Sequence, residues 1–130
     1  MIEYTKMVRI LIIGDDVKTE KVIRDILELR GFNVIAASNV FSVMRIINDH
    51  IPDLIFMDAS LHGIDCITLT TLIKANSITS DVPVITFISD EMKGGNGRFV
   101  EAVCDGSINI HLSEKEILRI LNKYKLTEDS

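Results

Sequence analysis

The sequence predicts an α/β fold: a doubly wound, five-stranded parallel sheet with helices on both faces. Three observations predict it. Short apolar, β-branched runs alternate five times with segments of helical periodicity. The strand-like runs are nearly continuously apolar, as strands covered on both faces must be. A chain of 130 residues, 47% hydrophobic and 25% charged, has the balance of an ordinary single-domain globule that needs no staples.

Val8 to Ile13 reads as the first strand, and Val17 to Arg30 as the first helix, with Val22, Ile23, Ile26, Leu27 and Arg30 at helical spacing. Gly31 stops that helix as a residue free to turn left-handed. Phe32 to Ala36 is the second strand. Asn39 caps the second helix, whose inner face holds Val40, Met44 and Ile47. Pro52 opens the third strand, Asp53 to Met57, and a polar loop with Gly63 leads to a helix from Cys66 to Ala75. Val82 to Ile88 is the fourth strand, with Pro83 near its start, where a missing donor matters least. Gly94, Gly95 and Gly97 would each cost a helix about 1 kcal/mol, so Glu91 onward is a loop, followed by a short helix from Arg98 to Cys104. Ser107 to Ile110 is the fifth strand. Ser113-x-x-Glu116 is a capping box for the last helix, with its stripe of Ile117, Leu118, Leu121 and Tyr124. Residues 1–130 form one domain, with a polar, frayed tail from Leu126 to Ser130.

Composition narrows the function. A net charge of −5 gives no basic field for a phosphate backbone, which argues against nucleic-acid binding. The apolar runs, such as Ile10 to Ile13, fall far short of the roughly 18 residues that span a bilayer. Met1 to Val8 has no apolar core of a secretory signal, which places the chain in the cytoplasm. Cys66 and Cys104 have neither metal nor redox spacing and read as small buried hydrophobes. Met44, Met57, Phe41, Phe56 and Phe87 read as core, and His50 and His62 as exposed loop residues.

In an open parallel sheet the functional crevice lies beyond the carboxyl ends of the strands. There the sequence places Gly14-Asp15-Asp16, Ala37-Ser38, Asp58, Ile88-Ser89-Asp90 and Ile110-His111. Asp15 and Asp58 end the first and third strands, which should be neighbours. Converging carboxylates repel unless protonated or bridged by a cation, and a hard ion such as Mg²⁺ prefers oxygen ligands. The acidity argues against a nucleotide or flavin phosphate at the first turn, and Gly14 alone is no glycine-rich fingerprint. Gly94-Gly95-Asn96-Gly97 likewise lacks the lysine and hydroxyl of a phosphate loop. Asp16 has a structural alternative, since it stands where a helix cap belongs. Asp58, ending the run Leu54-Ile55-Phe56-Met57, has a weaker one as a solvated loop acid.

These residues resemble the receiver domain of bacterial response regulators, the CheY-like family. Arg9 to Asp16 is similar to its first strand and acidic turn, and Pro52 to Asp58 to the strand that ends in its phosphoacceptor. Leu61-His62-Gly63-Ile64-Asp65 follows with His62 in place of the family's proline. Val82-Pro83-Val84-Ile85, Glu101-Ala102 and Ser113 to Leu121 match the remainder. The resemblance implies strand order 2-1-3-4-5. It implies Asp58 as phosphoacceptor, and Asp15 as a Mg²⁺ ligand with the Ser60 backbone carbonyl. A one-residue slip would bring in Asp16.

The departures cluster at the site. Gly14 stands at the first acidic position, Ile88 at the switch hydroxyl and Ser107 at the switch aromatic. Ile110 and His111 stand at the lysine and the proline after it. A cis bond before a non-proline costs about 3–4 kcal/mol, so the Ile110–His111 bond is expected to be trans. The resemblance therefore implies a degenerate receiver with weakened Mg²⁺ binding and weak or absent switching at Asp58. It would act by protein–protein contact, with a histidine kinase or phosphotransfer protein, an effector protein, or a second copy as partners. The alternative is an ordinary phosphorylatable receiver in which Lys93 or His111 replaces the lysine. A small nucleotide-binding α/β module is the remote third reading.

Overall fold

In the computed structural model, residues 7–59, 63–88, 103–109 and 114–127 are described. They form β1 (Arg9–Ile13), α1 (Val17–Leu29), β2 (Asn33–Ala37), α2 (Val40–Asp49), β3 (Leu54–Asp58), α3 (Gly63–Ala75), β4 (Val84–Ile88), β5 (Gly106–Asn109) and α4 (Glu114–Lys123). All pairings are parallel, and the strand order is β2-β1-β3-β4-β5, the predicted arrangement.

Alternation along the strands sends side chains to two separate cores. Leu11, Ile13, Ile55 and Met57 meet Val43 and Ile47 of α2 and Cys66, Leu69 and Ile73 of α3 on one face. Ile10, Ile12, Leu54 and Phe56 meet Ile23 and Leu27 of α1 and Ile117, Ile120 and Leu121 of α4 on the other. β1 and β3 are therefore buried on both sides, which is why their sequences read as apolar runs.

Several boundaries differ from the sequence expectation. β3 runs one residue further, so that Asp58 ends the strand, and Asp53 stands before it. β4 starts at Val84, because the Val82 amide donates to the Thr79 carbonyl (3.0 Å) and Pro83 has no amide to donate. α3 begins at Gly63, three residues before Cys66. Phe41, expected in the core, is exposed at 87%, because α2 turns its Val43–Ile47 stripe inward and leaves Phe41 on the outer side. Val22 likewise faces solvent.

Both long outer helices on one face end alike. In α1 the Gly31 amide donates to the Glu28 carbonyl (3.0 Å) and the Phe32 amide to that of Leu27 (3.2 Å), with Gly31 at φ +87°. In α4 the Lys125 amide donates to Asn122 (3.0 Å) and the Leu126 amide to Leu121 (2.9 Å), with Lys125 at φ 58°. Leu126 also packs against the core, so the fraying expected from that residue does not begin there. The expected helix at Arg98–Cys104 falls outside the described residues except for Val103 and Cys104, and the Ser113 cap lies wholly outside them.

Candidate functional site

The crevice is built at the carboxyl ends of β1, β3 and β4. The β1–β3 register pairs Ile13 with Met57, so the chain just beyond β1 meets the last residue of β3. The Gly14 amide donates to the Ala37 carbonyl (3.0 Å), carrying the β1–β2 ladder one residue further. The Ala59 amide does the same on the other side, to the Phe87 carbonyl (3.0 Å). Asp58, in register with Phe87, is held between these two ladders and is only 2% exposed.

Two contacts fix Asp58 closely. A Cβ placed on Gly14 would stand 3.1 Å from the Cβ of Asp58 and 3.7 Å from its Oδ2, so the chain ending β1 passes directly beside this side chain. From α3, the buried Cys66 thiol donates to the Asp58 carbonyl at 3.1 Å. The Thr70 hydroxyl then donates to the Cys66 carbonyl (2.8 Å), tying the same helix turn together. The sequence presents Cys66 as a small buried hydrophobe, and it is buried. Its bond to Asp58 depends on how α3 docks, and residue type and spacing carry no signal for it.

The acids of the first turn separate by role. Asp16 is the N-cap of α1: its Oδ1 accepts from the Lys18 amide (3.0 Å) and its Oδ2 from the Thr19 hydroxyl (2.9 Å). The Thr19 bond, joined by the amide bonds, holds its carboxyl below the usual aspartate range. Both Asp16 oxygens are thus engaged by its own helix. Asp15, between Gly14 and this cap, is exposed.

Of the remaining positions, Ile88 is the last residue of β4 and pairs with Asn109, while Ser107 lies half-buried in β5 opposite Thr86. Ser60, His62, Lys93, Ile110, His111 and the Ile110–His111 bond lie outside the described residues. Among the described residues, no group of three histidine, cysteine or acidic side chains gathers as a metal cluster. Neither Cys66 nor Cys104 is in a disulfide, and burial pushes the Cys104 thiol up, away from the reactive thiolate. His50 is exposed at the end of α2.

Residues 10–122 match the response regulator receiver domain. The chain belongs to that family. Among curated relatives it is 26% identical over 115 residues to the polar-differentiation response regulator DivK of Brucella anthropi, covering 88% of this chain and 94% of that one. The DivK of Brucella ovis is 25% identical over the same length. Among solved structures, the receiver domain of the sensor histidine kinase PA1611 from Pseudomonas aeruginosa, which holds a magnesium ion in its active-site cleft, superposes with a TM-score of 0.80 at 23% identity, covering 92% of this chain and 98% of that one. The chemotaxis response regulator CheY4 of Vibrio cholerae superposes at 0.77 with 15% identity, covering 92% and 99%. These likenesses establish the fold. Membership of the family makes the chain a receiver module of two-component signalling and not a conventional enzyme. No helix among the described residues is long and apolar enough to cross a membrane.

Proposed function

We propose that this receiver domain is degenerate. It works by contact with other proteins, and phosphorylation at Asp58 is weak and drives little switching. The observation that supports the reading is the neighbour of Asp58. Where the family resemblance calls for an acid, the end of β1 presents Gly14, with no carboxylate and with its backbone against the Asp58 side chain. The chain's ends of β4 and β5 point the same way, with Ile88 and Ser107 in place of a hydroxyl and an aromatic. A phosphoryl signal needs an element that prefers one state by several kcal/mol, and these residues offer no such preference.

The donor set still fits a hard cation. Asp58 and Asp15 supply two carboxylates, and the resemblance adds the Ser60 carbonyl. Mg²⁺ is commonly held by one or two carboxylates with several waters retained. The site is one carboxylate short of the family's pair, so its hold is weaker. When bound, the ion would offset the charge of an arriving phosphoryl group. Asp58 is the acceptor in this reading: one Oδ attacks phosphorus, the bond to the donor's leaving atom breaks, and an acyl phosphate forms.

The whole chain acts as one receiver unit. Its partners are a histidine kinase or phosphotransfer protein and an effector protein, in the cytoplasm, with a second copy of the chain also compatible. The second reading, an ordinary receiver, draws on the position of Asp58 at the end of β3 with Asp15 beyond the neighbouring strand. Lys93 or His111 would then replace the lysine. Incubation with acetyl phosphate and Mg²⁺, followed by intact-mass and amide-resonance measurement, separates the two. We expect a substoichiometric adduct that leaves the amides of Glu91–Leu112 unmoved. A stoichiometric adduct, lost in Asp58→Ala and shifting those amides, would establish the ordinary receiver.

A further inference from the structure

We propose that the groove between the end of α1 and α4 is a docking site for an acidic helical segment of a partner protein, in which Lys115 and Arg119 meet two of its carboxylates and Leu118 an apolar side chain between them. The proposal rests on the reading of this chain as a module that works by protein contact. It goes beyond that reading in placing a contact surface outside the crevice. Arg30, which lines the groove, is the C-cap of α1, and the 13-residue helix sets about 20 Å between it and the Asp16 cap beside Asp15.

The groove holds about 540 Å³ and is lined by Arg30, Glu114, Lys115, Leu118, Arg119 and Asn122. Leu118 is half-buried, packed against the core on one side and lining the groove on the other. Three cations stand there against one carboxylate, in a chain whose net charge is −5. That carboxylate is already taken: the Arg30 Nε donates to Glu114 Oε1 at 3.1 Å, and its Nη2 donates to the same oxygen. Lys115 and Arg119 are exposed, and among the described residues neither has an ion-pair partner. They are four residues apart, so they share one side of α4 and repel each other. Lys115 is also the second residue of that helix, where the dipole disfavours a cation. Local rules broken together without internal compensation mark a surface that serves an external group. The spacing and the apolar floor then select the occupant. Carboxylates one turn apart on a partner helix lie about as far apart as these two cations, and an apolar residue between them falls on Leu118. In a second copy of this chain, Glu20, Asp25 and Glu28 of α1 are already paired with Lys21 and Arg24 of their own helix, so that helix does not supply the acids.

An amide-resonance titration of the full chain tests the groove. The probe is an alanine-based helical peptide with two glutamates four residues apart and a leucine between them; the control peptide has glutamines in their place. We expect the glutamate peptide to shift the amides of Arg30, Lys115, Leu118 and Arg119 to saturation, with a Kd of about 1 mM or below at low salt. The glutamine peptide should bind about fivefold more weakly. Salt at about 1 M, which screens exposed charges beyond about 3 Å, should bring the two peptides together. Lys115→Glu should also remove the preference for the glutamate peptide. That variant replaces a like-charge pair by a favourable Glu-to-Arg pair and suits the helix start, so its urea midpoint should be no lower than that of the natural chain. A lost preference is then not a lost fold. Equal binding of the two peptides, shifts confined to other surfaces, or no shift at about 10 mM peptide would overturn the proposal. So would equal shifts with inorganic phosphate, which would make the groove a small-anion site, or the same shifts on raising the protein concentration alone, which would make it a contact between copies. The titration uses no phosphoryl chemistry. A full switch at Asp58 would therefore defeat the degenerate reading and leave the groove to be decided by the peptides.

Discussion

At the amino end of the sheet, Asp53 and Asp105 stand just before β3 and β5, and each repeats the same device. The Asp53 carboxylate accepts from the Arg9 amide (2.9 Å) while its own amide donates to the Arg9 carbonyl (2.8 Å). The Asp105 carboxylate accepts from the Val84 amide (2.7 Å) while its amide donates to the Val84 carbonyl (2.9 Å). Lys74 at the end of α3 completes the second set, 2.6 Å from Asp105 and donating to the Val82 carbonyl at 2.7 Å. At the carboxyl end, Asp16 caps its own helix, Asp15 is exposed, and Asp58 is buried beside a glycine. The two ends carry the same residue type with opposite uses. At one, carboxylates replace missing ladder partners and fix where strands begin. At the other, one caps a helix, one is exposed and one is buried at the end of a strand. Acid content alone does not distinguish them; what each oxygen accepts from does.

The largest test of this contrast is Asp105→Ala. It leaves the Val84 amide without its carboxylate acceptor and takes the counter-charge from Lys74, which keeps the Val82 carbonyl; the loss should cost about 2–3 kcal/mol. Asp53→Ala should cost about 1–2 kcal/mol, since the Arg9 amide loses its acceptor. Urea unfolding reads both, and Asp105→Asn, which keeps an acceptor for Val84, should fall between Asp105→Ala and the natural chain. Neutral substitutions at both positions would mean that the amino-end acids do not fix the strand starts.

Asp16 supplies a smaller effect with a pH signature. The Thr19 hydroxyl, with the Lys18 amide, keeps its folded carboxyl below the ordinary aspartate value. A depressed folded pKa contributes stability above the unfolded value, and that contribution is lost as pH falls through the folded one. Asp16→Ala should therefore lower the unfolding midpoint near neutral pH. The difference from the natural chain should close as pH falls below about 4. A gap that persists unchanged to pH 2 would mean that the charged cap is not what stabilises α1.

Much of this was legible in the chain. Gly31 announced the end of α1 and Asn39 the start of α2, because those signals are local: a left-handed residue, and a side chain reaching its own helix, where the Ser42 amide meets Asn39 at 2.9 Å. The apolar runs located β1, β3 and β4, because burial on both faces removes the polar alternation that would blur them. The carboxyl-end location of Asp15 and Asp58 followed from topology alone. What the sequence did not reveal is long-range. The reciprocal bonds of Asp53 to Arg9 cross 44 residues, and those of Asp105 to Val84 cross 21. The Gly14–Asp58 approach and the Cys66 bond depend on strand register and helix docking, which residue type cannot encode. Phe41 failed differently: a large apolar residue one step off the buried stripe of α2 reads as core by hydrophobicity and as surface by angle, and angle decided.

The smallest expected effect on stability belongs to Asp15, and it sharpens the contrast most. Its side chain is exposed, and it follows the glycine that lies against Asp58. An exposed position outside a cap or network changes stability by no more than about 0.5 kcal/mol on substitution. Asp15→Ala should therefore unfold like the natural chain, while its Mg²⁺-dependent labelling at Asp58 falls, because the proposed reading makes Asp15 one of two carboxylates for a hard cation. Stability and labelling would then respond to different acids: Asp105→Ala would lower the first and spare the second, and Asp15→Ala would do the reverse. If Asp15→Ala instead destabilised the fold as Asp53→Ala does, the carboxyl-end acids would be structural as well, and the division between the two ends of the sheet would disappear.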